Sequence, residues 1–176
     1  MTDAVDGFPP SPDGARPPRP RTLTLAVMLA AIVCIVFANT LLNGFVFDDV
    51  SMIRENPAIR DARYVKSYFT RPFFSVGQPV TGPVAYDYYR PLVLLSYLGD
   101  HLVWRGLPWG YHLTNVLLHT GVTVLVFLLL TRLRLSDGAA FIGAVLFAVH
   151  PALVDSVAGV SGRSDPLCAL FFLVSA

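Results

Sequence analysis

Charge is scarce in this sequence. Of its 176 residues, 14% are Asp, Glu, Lys or Arg, against about 25% in an ordinary soluble domain. The deficit is uneven. Charges gather in the first 21 residues, between 48 and 105, and around 132–137, with long apolar runs between these groups. That distribution argues against one soluble core and for a chain that crosses a bilayer several times. Cysteine is nearly absent: Cys34 and Cys168 both lie inside apolar runs and read as small buried hydrophobes rather than a disulfide or a metal site. The net charge is only +1, so no basic surface points to nucleic acid as a partner. A Walker loop, a glycine-rich dinucleotide fingerprint, a serine elbow and a His-Glu-x-x-His pair are all missing. Nucleotide-driven and hydrolase chemistries therefore find no support.

What is present is organised by the apolar runs. Residues 1–21 are rich in Pro, Gly, Asp and Arg and read as a disordered tail. Residues 23–42 are uncharged and too long for the core of a signal peptide, so they form the first expected span. Arg16, Arg19 and Arg21 precede it and place the N-terminus in the cytoplasm. Residues 43–110 form a long extracytoplasmic loop. It holds seven Lys or Arg, against the positive-inside tendency, but that tendency weakens for loops of about 60 residues or more. Pro72, Pro79 and Pro83 with Gly77 and Gly82 mark an irregular stretch within it. Residues 91–104 are apolar but interrupted by Asp100 and His101 and too few to span, which predicts an interfacial or re-entrant helix. Further spans are expected at about 111–131, 138–150 and, incompletely, 166–176, with a second extracytoplasmic loop at 151–165. Only 11 residues run from Pro166 to Ala176, so the sequence is expected to be the front piece of a longer protein.

A few polar residues call for an explanation. Asp48 and Asp49 follow the first span and repel each other at the membrane surface. Such a pair shares a proton, binds a cation, acts as base and orienting partner, or is simply a solvated helix end. His150 and Asp155 frame the second loop, and Arg163 and Asp165 close it. Ionisable groups at a membrane boundary are functional or are anchors. Arg90, before Pro91, is an anchor or a phosphate ligand. His112, Asn115 and His119 repeat at i, i+3 and i+7 on one helix face, where hydrogen bonds between helices account for them. No third ligand with convincing spacing supports a zinc site.

Taken in order, several blocks resemble one family. They are Asn43-Gly44-Phe45-Val46-Phe47-Asp48-Asp49-Val50 with Asn56, then Tyr89-Arg90-Pro91-Leu92, then Gly106-x-Pro108-x-x-Tyr111-His112-x-x-Asn115-x-x-x-His119. Leu146-Phe147-Ala148-Val149-His150-Pro151 and Gly162-Arg163-Ser164-Asp165-x-Leu167-Cys168 follow. Residues 40–173 resemble the N-terminal membrane half of the transmembrane and tetratricopeptide-repeat O-mannosyltransferases, bacterial relatives included, within the GT-C class of glycosyltransferases. Ser164, where the family commonly has Ala, and Pro166 are departures.

The resemblance implies an all-α fold, a polytopic transmembrane helix bundle with interfacial helices in its long first loop. It implies an enzyme moving a sugar, mannose by resemblance, from a polyprenyl-phosphate carrier to a protein Ser/Thr hydroxyl outside the cytoplasm, in a multi-pass membrane protein of the bacterial inner membrane. Asp48 and Asp49 would hold the catalytic position, one of them as general base. Arg163 and Arg90 would bind the donor phosphate, and His150 and Asp165 would orient the donor or a cation. A divalent cation on the Asp48–Asp49 pair is left open. The competing reading is a non-catalytic membrane anchor for a tetratricopeptide scaffold. A transporter of lipid-linked sugar would need charges at mid-depth, and the spans carry none.

Overall fold

The computed structural model describes residues 20–77 and 88–176. The expected tail over 1–19 and the segment with Pro79, Gly82 and Pro83 lie outside the described residues. Among the described residues the fold is all-α, with no strand.

Helix α1 (Pro20–Val36) is apolar along its length and runs into a 3-10 turn, Ala38–Leu42. The first loop then folds from short turns. Val50–Arg54 is a π-turn, closed by the Glu55 N–H on the Val50 carbonyl at 2.8 Å. Pro57–Arg60 and Ala62–Tyr64 are 3-10 turns whose starts are capped by the Asn56 and Asp61 side chains. Both caps satisfy backbone N–H groups that the turn leaves free. Helix α2 is a single turn, Val65–Tyr68, and α3 spans Pro91–Trp104. Pro91 suits the first position of α3, where the missing N–H costs nothing. Arg105 and Gly106, at φ 53° and 81°, end α3 and reverse the chain.

Helix α4 (Pro108–Arg132) is the one helix among the described residues long and apolar enough to cross a membrane by itself. Its 25 residues exceed the ~20 a crossing requires. Helices α5 (Asp137–Ala148) and α6 (Val154–Ala158) flank a break at His150–Pro151 and are bent by 51°; taken together they reach the same length and apolarity. Helix α7 covers Ser164–Ser175.

The packing falls into two regions. In the helical part, Ala140, Ala144 and Ala148 of α5 are fully buried and line one face. Small residues there let α5 approach α1 and α4 closely, where Leu29, Val33, Val116 and Phe127 complete the contact. The outer faces carry exposed Leu117, Ile142, Leu146, Phe171 and Phe172, as an apolar surrounding would favour. The first loop has its own core. Ile53, Ile59, Tyr68, Phe73, Leu94 and Tyr97 bury their side chains together under α3, and each such side chain contributes on the order of 1.5–3 kcal/mol. The Tyr68 hydroxyl donates to the Ala58 carbonyl at 2.7 Å, which fixes the turns to α2. Gly77, at φ 77°, brings the chain so close to Ala58 that a Cβ would lie 2.7 Å from that residue's own. A dense loop core of this kind is what holds Asp48, Asp49 and Arg90 in place.

Candidate functional site

The two neighbouring aspartates face different surroundings. Phe47 adopts a left-handed backbone (φ 46°) and is 93% exposed. An aromatic residue rarely takes that conformation, at a cost of roughly 1–2 kcal/mol. The turn it makes is closed by the Asp49 N–H on the Val46 carbonyl and the Val50 N–H on that of Phe47. Its result is to send Asp49 inward and leave Asp48 at the surface.

Asp49 is 1% exposed. Its Oδ1 accepts the Ser161 N–H at 2.7 Å, and its Oδ2 lies 3.5 Å from the Val46 N–H. Asp49 therefore ties the first loop to the second. Asp48 is exposed and lines an open cleft of about 400 Å³ with Ser51, Met52, Phe74, Tyr88 and Arg90. The Ser51 hydroxyl donates to the Asp48 carbonyl at 3.2 Å and holds the turn. Arg90 stands at the N-terminal cap of α3, with its guanidinium 4.6 Å from the centre of the Tyr88 ring. That ring fixes the cation without neutralising it. The segment is secured by the Phe73 N–H on the Tyr88 carbonyl at 2.6 Å and the Tyr89 hydroxyl on that of Phe69 at 3.1 Å. The cleft thus sets one carboxylate and one cation on the walls of a single open space.

Arg163 lies apart from that cleft, fully buried. Its Nη1 forms an ion pair with Asp100 Oδ2 at 2.6 Å and reaches the Ser96 hydroxyl at 3.3 Å. Its Nε donates to Asn115 Oδ1 at 2.7 Å and its Nη2 to the Tyr111 carbonyl at 2.9 Å. Thr114 completes the group by donating to Asp100 Oδ1 at 2.7 Å. Burial raises the Asp100 carboxyl above its usual range, while Arg163 and the Thr114 hydroxyl pull it back. The Asn115 amide also donates to the Gly159 carbonyl at 2.9 Å, and the Tyr97 hydroxyl to that of Val160 at 3.0 Å. Gly162 permits the tight path here, since a Cβ would lie 2.7 Å from the Ser156 Cα. This network docks residues 157–163 onto α3 and α4.

The remaining expected residues lie elsewhere. His150 accepts the Ala152 N–H through Nδ1 at 3.2 Å, capping the turn at the break after α5. Asp165 accepts from the Ser156 hydroxyl at 2.6 Å. It borders a small apolar cavity with His119, Phe147 and Pro166. His119 Nε2 lies 3.0 Å from the Ala148 carbonyl. The His112 ring is buried beside the Gly44 and Ala158 backbone. The aspartate pair is divided between two surroundings, with Asp49 buried and its Oδ1 on the Ser161 N–H, and Asp48 exposed. Among the described residues no three His, Cys, Asp or Glu side chains converge to hold a metal ion. Three features escaped the sequence reading: Asp100 as the partner of Arg163, Tyr97, and the cation cluster around His101. Asp100 and His101 left a trace, as polar residues interrupting the apolar run 91–104.

No family model and no solved structure matches this chain. Curated relatives do. The chain is 36% identical over 148 residues to Protein O-mannosyl-transferase TMTC3 of Mus musculus, covering 84% of this chain and 16% of that protein. It is 38% identical over 165 residues to Protein O-mannosyl-transferase TMTC4 of Homo sapiens, covering 86% and 22%. Protein O-mannosyl-transferase Tmtc1 of Drosophila melanogaster is 36% identical over 146 residues, covering 83% and 17%. The chain thus spans 16–22% of the length of these relatives.

Proposed function

We propose that this chain is the front portion of a membrane O-mannosyltransferase of the GT-C class, which moves mannose from a polyprenyl-phosphate carrier to a Ser or Thr hydroxyl of a protein on the extracytoplasmic side. Three kinds of observation support the reading: the named relatives, a helix fit to cross a membrane, and the cleft. The observation that carries it is the pairing of exposed Asp48 with Arg90 in one open space of about 400 Å³.

The division of labour follows from the surroundings of each residue. A general base must reach the acceptor hydroxyl, and Asp48 faces the cleft where Asp49 does not. In one displacement, Asp48 takes the hydroxyl proton as the acceptor oxygen forms its bond to the anomeric carbon. The bond from that carbon to the phosphate oxygen breaks, and the electron pair leaves with the carrier phosphate. Direct attack inverts the anomeric centre. The phosphate needs no proton to leave, only nearby positive charge, and Arg90 supplies it. Asp49 keeps the turn in shape through Ser161. Arg163 acts on the site through α3 and the second loop, because its guanidinium is taken up by protein groups. His150 and Asp165 shape the second loop, which the Asp49–Ser161 bond ties to the turn carrying Asp48.

The test uses the full-length protein and a polyprenyl-phosphate mannose donor with an acceptor peptide. Asp48→Asn is expected to lower kcat at least 100-fold, in keeping with the ~10²–10⁴-fold contribution of a general base, with the melting temperature unchanged. Arg90→Gln is expected to raise the donor KM and lower kcat. Full transfer by both variants would sink the reading and favour the non-catalytic anchor.

A further inference from the structure

A second group of cations gathers on another wall of the first loop. Arg54, Arg60, His101 and Arg105 line a cavity of about 270 Å³, with Phe45 and Tyr111 among its apolar sides. Backbone structure brings them there. Arg54 ends the π-turn and Arg60 ends a 3-10 turn. The Arg60 guanidinium donates to the Arg54 carbonyl, which holds the two together. Arg105 sits at the left-handed end of α3, one helical turn beyond His101. The cavity lining contains no carboxylate. Among the described residues, none of these three arginines is in a salt bridge, whereas Arg63 in the same loop pairs with Asp61 at 2.6 Å.

Arg54, Arg60 and Arg105 are exposed and His101 is half-buried, so water screens their mutual repulsion in part, less so beside the apolar walls. Burial, with the positive charges of Arg60 and Arg105, holds His101 below the usual imidazole value. An anion in the cavity removes that repulsion. Guanidinium groups offer paired N–H donors that match phosphate oxygens. The setting is also that of a membrane surface. Trp104 and Trp109 pack with ring centres 4.8 Å apart and planes tilted by 59° beside this corner, and Leu102, Val103 and Leu107 are exposed around it. Aromatic rings of this kind settle at headgroup depth, and basic pockets beside membrane helices bind lipid head groups.

We propose that the Arg54–Arg60–His101–Arg105 cavity is a second anion site, which takes the phosphate group of an acidic membrane lipid. It lies behind the π-turn, on the Arg54 side, whereas Asp48, Ser51 and Met52 form the transfer cleft on the other. The volume accommodates a phosphate head group. The site neither needs nor supplies catalysis. It seats the first-loop core on the membrane beside the cleft.

The chain's two tryptophans, Trp104 and Trp109, make the test direct. The protein in neutral detergent is titrated with short-chain phosphatidylglycerol, short-chain phosphatidylcholine and inorganic phosphate while tryptophan emission is followed. A saturable response at phosphatidylglycerol concentrations at least 10-fold below those for phosphatidylcholine is expected. The Arg54→Gln/Arg60→Gln/Arg105→Gln variant is expected to shift the midpoint at least 10-fold, and the Arg54→Lys/Arg60→Lys/Arg105→Lys variant less. Arg63→Gln leaves it in place. Inorganic phosphate that saturates the same response, lost in the same variants, keeps the site and makes free phosphate its source. Equal response to both lipids without any to phosphate, or an unshifted midpoint in a folded triple-Gln variant, overturns the proposal. The Asp48→Asn protein is expected to bind unchanged, so loss of transfer and loss of this site are read separately.

Discussion

Arg163 and Asp100 meet at 2.6 Å in the buried contact between the second loop and α3, with Tyr97 stacked 4.8 Å from the guanidinium. A buried ion pair contributes little net stability by itself, but removing one partner strands the other away from water. Arg163→Gln is therefore expected to cost about 3–5 kcal/mol. Adding Asp100→Asn to that variant is expected to restore a large part of the loss. Arg163→Lys is expected to fall close to Arg163→Gln, because an ammonium cannot serve Asn115, Tyr111, Ser96 and Asp100 in one plane. Thermal melting of the set in detergent measures all three.

The aspartate pair is expected to separate cleanly in a stability assay. Asp49→Ala leaves the Ser161 N–H without its acceptor, at roughly 1–3 kcal/mol. Asp48→Ala removes an exposed side chain and is expected to stay within about 0.5 kcal/mol of the parent. Equal melting shifts in the two variants would contradict the inward and outward assignment.

Tyr68 provides a pH signature of the loop core. Burial, aided by the negative charge of Asp61, pushes its phenol up to about 12, from about 10 in an unfolded chain. A folded value above the unfolded one means that the protonated phenol stabilises the fold. That contribution is complete below pH of about 10 and is lost as pH rises through about 12. Ultraviolet titration at the phenolate band is expected to show a late-ionising tyrosine that Tyr68→Phe removes. The same substitution flattens the fall of stability in that window.

Gly162 tests the close docking of the second loop. A Cβ there would lie 2.7 Å from the Ser156 Cα and 2.9 Å from the Asp155 carbonyl oxygen. Both neighbours are backbone, so neither yields without moving α6. Gly162→Ala is expected to cost about 1–3 kcal/mol, as overpacked sites do. Faster hydrogen exchange at Ser161 would place the damage at the Asp49 contact.

The helical class was legible, because long uncharged runs separated by clustered charges leave few alternatives. The acidic pair and Arg90 stood out as polar residues at a membrane boundary. Adjacency in sequence could not say which aspartate faces the cleft, since the answer lies in the left-handed turn at Phe47, and no composition rule places an aromatic residue there. Asp100 was visible only as a break in an apolar run. Its partner lies on the other loop, and pairing across that distance is set by how α3 and α4 pack. The cluster of Arg54, Arg60 and Arg105 was hidden for a related reason. Each ends a different short turn, and only the folded loop brings them to one cavity.

The bond between Asp49 and Ser161 spans 112 residues of chain, and that separation has a consequence in time. At the roughly 5–20 residues per second of chain synthesis, the acceptor exists for about 5–20 s before its donor is made. The first loop can gather its apolar side chains during that wait, but the turn that presents Asp48 lacks its fastening. A ribosome-bound chain that stops short of Ser161 therefore carries a cleft with one wall unlatched, and the site matures only when the second loop arrives.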